Sequence, residues 1–305
     1  MQTVLALDIG GTKIAGGIID DTGQILLADK VPTPTIEGGP AILEQATTLL
    51  ISLQSRFDGP RPSAIGISAG GQIDASGQIV GGTDMIADWV GFPLRKKVAE
   101  QFGLPTAVLN DGHAAALAES HFGAGRGRVS MLCVVIGTGL GGGLVVDGRS
   151  QHGANGLAGS VGQLRISRNG RSYLPLEDLV SGPGLVKLYG EQNPAVAAGT
   201  AVEVAQRAQA GDKHAREAIR EMGTWLGLGL SHALHACDAE CVVVGGSVAQ
   251  IGDPLLDAAR KSLGRYGYSA IAGTPILPAK LGVYAGLVGA AVEIRLRQIG
   301  DGNDR

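Results

Sequence analysis

The stretch Leu5–Asp20, "LALDIGGTKIAGGIID", places one carboxylate, Asp8, inside an apolar run that breaks at Gly10-Gly11-Thr12-Lys13 and then resumes. A turn of exposed backbone N–H groups with a threonine hydroxyl is suited to phosphate oxygens. A single turn of this kind reads equally well as a plain hairpin connection. The chain writes it twice, however. Shifted by 127 positions, Ile9–Asp20 falls on Ile136–Asp147, "IGTGLGGGLVVD", with identical residues under Ile9, Gly10, Gly16 and Asp20. Two such turns, Gly10–Lys13 and Gly137-Thr138-Gly139, facing each other would clamp a polyphosphate. Asp8 aligns with Val135, so one copy alone has the acid. That asymmetry is expected if Asp8 holds a hydrated Mg²⁺ bridging the phosphates, because a second carboxylate would repel them. A further acid follows "TAVLN": the strand delivers Asn110 and Asp111 to the mouth of the helix "GHAAALAES". Strand ends of this kind are where α/β folds place ligands, although Asp111 would also serve as an ordinary helix N-cap.

Two rival phosphate motifs fail on the same residues. Gly137, Gly139 and Gly142 satisfy G-x-G-x-x-G, but a dinucleotide fingerprint must open a helix, and "GLVVDG" reads as strand and turn. No G-x-x-x-x-G-K-[ST] occurs.

The elements that must position these residues alternate. Strands are predicted at "TVLALDI", "AGGIIDD", "QILLADKVPT", "AIGISAG", "GQIVGG", "TAVLND", "SMLCVVIG", "GGGLVVDG", "ECVVVGG" and "TPILPAKLG". Helices are predicted at residues 39–56, 93–101, 113–120, 195–210, 213–236, 254–264 and 285–299. Residues 148–175 are polar, turn-rich and without period, and read as an extended surface excursion. The class is therefore α/β. At 305 residues two domains are expected, with a boundary near residues 115–125.

Composition removes several function classes. A net charge of −3 without a basic block, and 4% aromatic residues, argue against nucleic acid. No apolar run reaches membrane-spanning length, and no charged and apolar leader precedes the first strand, so a cytoplasmic protein is expected. The three cysteines lie in apolar or helical surroundings, as in a reducing compartment. Fifty glycines, about twice the usual share, point to many tight turns or close backbone approaches.

The segments "LALDIGGTKIAGGIID", "VLNDGHAAALAE", "VVIGTGLGGG" and "CVVVGGSV", in that order over residues 3–292, resemble the ROK family of sugar kinases, within the actin-like ATPase (ribonuclease H-like) superfold. The resemblance implies two domains around an interdomain cleft: a small N-terminal α/β domain, 1–117, which the C-terminal helix 285–305 rejoins, and a larger one, 118–284. It implies ATP and Mg²⁺, with phosphates between the two hairpins and Gly245-Gly246 at the adenosine end. It gives Asp111 the place of the catalytic base and makes Asn110, Gly71, Thr83 and Glu177 sugar contacts, Thr83 especially in the manner of N-acetylmannosamine kinases. A homodimer is also expected. In that assignment phosphoryl transfer asks the carboxylate only to orient the sugar hydroxyl and accept its proton late.

One departure is pronounced. Where the family writes a glutamate and a histidine followed by a zinc-binding cysteine cluster, this chain has Ser160, Gln163 and no cysteine in "GLAGSVGQLRISRNGRSYLPLEDLVSG". No zinc site is expected there, since neither substitute is a zinc ligand at neutral pH. The sequence thus leads to an ATP-dependent kinase for the 6-hydroxyl of a hexose or N-acylhexosamine, N-acetylmannosamine ahead of glucose. The alternative is a catalytically weak or inactive sugar-binding regulator of the same family.

Overall fold

The computed structural model describes residues 2–82, 86–168, 170–194, 196 and 198–303. The first half opens with strands β1 (Thr3–Ile9), β2 (Lys13–Asp20) and β3 (Ile25–Pro32), then helix α1 (Gly38–Arg56) and β4 (Ile65–Ala69). A small hairpin, β5 (Gln72–Ile73) and β6 (Ile79–Gly81), precedes α2 (Leu94–Phe102), β7 (Thr106–Asn110) and α3 (Asp111–Phe122). The strands form a five-stranded sheet in the order β3-β2-β1-β4-β7. Its first three strands are antiparallel and β1, β4 and β7 are parallel.

The second half repeats this plan. Strands β8 (Ser130–Ile136), β9 (Leu140–Val146) and β10 (Arg149–Gln151) form an antiparallel meander. A hairpin, β11 (Arg165–Ser167) and β12 (Tyr173–Pro175), leads to α4 (Gly182–Gln192), α5 (Ala201–Gln209) and α6 (Lys213–Cys237). Strand β13 (Cys241–Gly245), helix α7 (Asp253–Tyr266), β14 (Ile276–Pro278) and α8 (Ala285–Asn303) complete the chain. The second sheet runs β10-β9-β8-β13-β14, the same order and sense as the first, with β8 parallel to β13 and β13 to β14. The duplication read from Ile9 and Ile136 therefore extends to whole sheets.

Alternation along the central strands explains the layering. Leu5, Leu7 and Ile9 face one way and pack with Ile42, Leu50 and Leu53 of α1 and Val98 of α2. Val4 and Ala6 face the other way and share a core with Ala114 and Leu117 of α3, Leu287 and Ala291 of α8, and Met131, Cys133 and Val243 of the second sheet. Leu132, Val134 and Ile136 in turn face Leu185, Met222, Leu226 and Leu256 on the outer helices. Helices α3 and α8 are thus sandwiched between the two sheets. Glu119, buried on α3, fastens this layer: its carboxylate accepts backbone N–H groups from Ala124 (2.8 Å), Lys280 (2.8 Å) and Leu281 (2.7 Å).

The predicted elements differ from the observed ones chiefly beyond residue 147, besides the short, unpredicted strand β5. Helix α4 has no counterpart in the prediction, because Gly182, Pro183, Gly184 and Gly190 weaken its local signal. A Ser181 cap on the Gly184 N–H, together with burial of Leu185, Leu188 and Tyr189, overrides that propensity. The helix expected from residue 195 begins at Ala201, where Thr200 accepts the Glu203 N–H. Residues 148–175, expected as an irregular excursion, contain β10 and the β11–β12 hairpin. That hairpin is pinned by Arg168, whose guanidinium bridges Glu191 of α4 and Glu221 of α6, each at 2.6 Å.

Candidate active site

Parallel pairing brings the carboxyl ends of β1, β4 and β7 to one edge of the first sheet. Asp8 pairs with Ser68 and Ile9 with Ala69, and Ala69 pairs in turn with Asn110. The Ser68 hydroxyl donates to Asp8 Oδ1 at 2.7 Å. Against the other side of this carboxylate lies Gly286, at the start of α8: a Cβ there would stand 2.4–2.6 Å from the Asp8 carboxylate atoms, so only glycine fits. Burial pushes the Asp8 carboxyl above its usual range, although Ser68 and Lys13 pull it down.

Asn110, rather than Asp111, caps α3. Its Oδ1 accepts the Gly112 N–H at 2.8 Å, and its Nδ2 donates to Gly71 O at 2.9 Å, which joins two of the expected sugar contacts. Asp111 is the first helical residue and also accepts the Gly112 N–H, at 2.8 Å. It faces water, yet protein surrounds it on its remaining sides. Desolvation, with the Asp8 charge second, pushes its carboxyl upward. Water screens part of that effect in the open site.

The first glycine turn is closed by Gly10 N–H to Lys13 O at 3.0 Å and braced by the Thr33 hydroxyl on Gly10 O at 2.7 Å. Thr12 and Lys13 are exposed there. The second turn is closed by Gly137 N–H to Gly139 O at 2.9 Å, and Gly182 N–H caps Gly137 O at 2.8 Å. Gly245 ends β13, and Gly246 lies against the Ile136 carbonyl, so the expected adenosine residues adjoin this second turn. Glu177 is there too: its Oε2 accepts the Leu140 N–H at 2.7 Å. A cavity of about 380 Å³ opens beside Thr138, walled by Glu177, Ser181, Gly184 and Lys187. A larger one, about 530 Å³, lies between β3 and α1 and touches no residue singled out from the sequence.

The two groups of residues meet at α3. Gly112 packs on the backbone of Gly142 so closely that a Cβ would come within 2.6 Å of its carbonyl oxygen. Among the described residues no hydrogen bond joins the Gly10–Lys13 turn directly to the Gly137–Gly139 turn. Thr83 lies outside the described residues. Ser68, Gly286 and Lys187 were not singled out from the sequence. Ser68 had a signal, as a polar side chain in a strand otherwise fully apolar; Gly286 and Lys187 are ordinary helix residues until the fold is known.

The oxygen-only donors at Asp8, with its carboxylate braced by the Ser68 hydroxyl, suit a hydrated Mg²⁺, which takes one or two carboxylates and fills its shell with water and phosphate oxygens. Among the described residues no group of three or more His, Cys, Asp or Glu side chains is placed to hold a metal ion. Residues 152–164 are held by protein contacts: the Gln72 amide donates to Asn155 O at 2.6 Å, and His113 Nε2 lies 2.9 Å from Ala158 O.

Fold and site together define a class: a duplicated, mixed-sheet α/β protein with two glycine-rich hairpin turns, and with two acids at the carboxyl edge of one sheet. The ROK family model matches residues 4–295, and the chain belongs to that family. It is 34% identical over 319 residues to the glucokinase of Streptomyces coelicolor, covering 95% of this chain and 97% of that one. It is 32% identical over 255 residues to an N-acetylmannosamine kinase of Escherichia coli, covering 81% and 84%. A ROK family glucokinase from Streptomyces griseus, solved with glucose and AMPPNP, superposes with a TM-score of 0.81 at 33% identity, covering 96% and 99%. No described helix is long and apolar enough to cross a membrane.

Proposed function

We propose that this chain is an ATP- and Mg²⁺-dependent sugar kinase that phosphorylates the 6-hydroxyl of a hexose or N-acylhexosamine, N-acetylmannosamine ahead of glucose. The observation that carries the reading is the position of Asp111: a carboxylate at the first turn of α3, at the end of β7 on the sheet edge that also holds Asp8, and next to Gly112, which packs on the Gly142 backbone of the second sheet. ROK membership and the glucokinase and N-acetylmannosamine kinase relatives support it.

In this reading Asn110 and Gly71, already joined, align the sugar with Glu177, and Asp111 accepts the proton of the 6-hydroxyl. The new bond forms between O6 and the γ-phosphorus as the bond to the β–γ bridging oxygen breaks, and ADP leaves with its phosphates between the two turns. Mg²⁺, when bound, would neutralise charge on the phosphate oxygens, with Asp8 as its protein anchor through water. The two sheets, with α3 and α8 between them, are read as the domains of an actin-like ATPase around a cleft. A homodimer working in the cytoplasm completes the proposal. The sugar preference rests on Ser160: it is smaller than the glutamate that resemblance puts there, leaves room beside the ring and lacks a charged acceptor for ring hydroxyls.

The test is sugar-dependent ADP release with glucose, mannose, N-acetylglucosamine and N-acetylmannosamine at one ATP concentration. Turnover with none of them would favour a sugar-binding regulator. A tenfold or greater preference for glucose in kcat/KM would overturn the order of sugars, and an unchanged ratio in Ser160→Glu would remove Ser160 from specificity.

A further inference from the structure

We propose that His113 is a positioning residue, which ties the loop that presents Ser160 to the helix that presents Asp111. This inference rests on the sugar-kinase reading for its kinetic consequence, while the tie itself is a matter of geometry.

His113 is almost wholly buried on the first turn of α3, two residues after Asp111. Its Nε2 stands 2.9 Å from the carbonyl oxygen of Ala158. A carbonyl only accepts, so Nε2 must carry the hydrogen. Burial holds the ring below the usual histidine range, which leaves the neutral Nε2–H tautomer near pH 7.

Ala158 belongs to a stretch, residues 152–160, that contains no regular strand or helix. Its local bonds are few: Ala158 N–H to His152 O at 3.2 Å and Ser160 N–H to Leu157 O at 3.0 Å. The Gln72–Asn155 bond holds its outer end at an exposed position. Gly159 packs on the backbone of Gly142 and Gly143, and the buried side-chain fastener is His113, whose partner Ala158 lies two residues from Ser160. A second ring supports it. His152 meets His113 edge-on with centroids 5.1 Å apart, and its Nε2 lies 3.6 Å from Glu293, a buried carboxylate of α8 that also accepts from Arg297 Nε at 2.7 Å. The ring of His113 is thus fixed from the α8 side while its Nε2 fixes the loop. Since Ala158 lies two residues from Ser160, loss of this bond should loosen the loop that presents Ser160 and so weaken sugar binding, without touching the nucleotide turns or the Asp111 position.

The experiment compares His113→Ala and His113→Gln with the parent, Gln being able to donate an amide N–H over a similar reach. In His113→Ala the KM for sugar should rise roughly tenfold, the factor for one lost buried hydrogen bond, while KM for ATP and kcat stay within about threefold. His113→Gln should recover most of that loss. Amide hydrogen exchange at residues 157–163 should accelerate in His113→Ala and return in His113→Gln. Unchanged exchange in His113→Ala, or a fall in kcat at unchanged sugar KM, would overturn the assignment. Should His113→Ala fail to fold, an imidazole ¹⁵N spectrum of the parent decides it: a slowly exchanging Nε2–H is required, and an Nδ1–H tautomer would overturn the tie. A parent without sugar-dependent turnover removes the kinase reading, and the exchange and tautomer measurements still judge the tie.

Discussion

Burial pushes the carboxyls of both Asp8 and Asp111 upward, and the Asp8 charge adds to the push on Asp111, so their proposed roles should be separable by mutation. Asp111→Asn keeps the shape and the cap made by Asn110, so sugar binding followed by calorimetry should persist. Turnover should fall by about 10²- to 10⁴-fold, the range for a positioned acid or base. Parental turnover in this variant would remove Asp111 from catalysis. Asp8 behaves differently because its ionised form is costly in the ligand-free protein. Its folded pKa lies above the unfolded value, so its charge subtracts from stability as pH rises through and beyond that window. Asp8→Asn retains an acceptor for Ser68 and removes the charge. The ligand-free variant should melt on the order of 2 °C higher at pH 7 and gain less at pH 4, while needing far more Mg²⁺ for any turnover. A melting point equal to or below the parent's at pH 7 would show that burial of this carboxylate costs the fold nothing.

At the scale of elements, α8 reaches back from the end of the chain to complete the site. Its Gly286 leaves no space for a methyl group beside Asp8. Gly286→Ala must displace either the carboxylate or the helix, and a shift near 1 Å costs about 10²-fold in rate. Activity within twofold of the parent would show that α8 yields without moving Asp8. The β11–β12 hairpin makes a second prediction. It is pinned by the Arg168 bridge to Glu191 and Glu221, with Gln192 and Trp225 also directed at Glu221. A tetrahedral zinc needs ligands that Ser160, Gln163 and the cysteine-free segment do not supply. Elemental analysis should find no stoichiometric zinc, and chelator should leave the melting curve unchanged. One zinc per chain, lost together with the fold, would contradict this.

At the scale of the whole molecule, the layer of α3 and α8 between the sheets contains titratable groups that report on it. Below about pH 6.5 the unfolded chain binds a proton at His113 more readily than the folded protein does, so acid favours unfolding from that point downward. Glu293 acts in a lower window. Burial raises it, but His152 and Arg297 bring it below its usual value, so its contribution is lost only as pH falls beneath the ordinary glutamate range. Urea unfolding from pH 8 to pH 4 should therefore show a first decline beginning near pH 6.5. His113→Gln should flatten that first decline and leave the later one. Because Asp8 and Asp111 gain stability in the opposite direction, the comparison is with the variant: a His113→Gln curve that declines as the parent's does would mean that His113 is not buried neutral in solution.

Much of this was legible in the sequence because the signals are local. Asp8, the two glycine turns and the Asn110-Asp111 strand end are fixed by the alternation of strands and by turn chemistry, which neighbours in the chain determine. The repeat between Ile9 and Ile136 announced two like hairpins, and the structure shows that each belongs to a like sheet. What lay beyond the sequence depends on approach between distant segments. Helix α4 forms against its glycines because Leu185, Leu188 and Tyr189 find a core to enter. Ser68 matters because β4 lies parallel to β1 in one register, and Gly286 because a helix 278 residues further on ends its approach at Asp8. The tie from His113 to Ala158 spans 45 residues and joins a side chain to a main-chain carbonyl, a partner that no residue type announces. The sequence by itself determined which residues are candidates for phosphate and proton work, because residue type and short spacing are local properties. Only the tertiary structure decided what holds each group in place, because packing and long-range hydrogen bonds exist only once the two sheets close on α3 and α8.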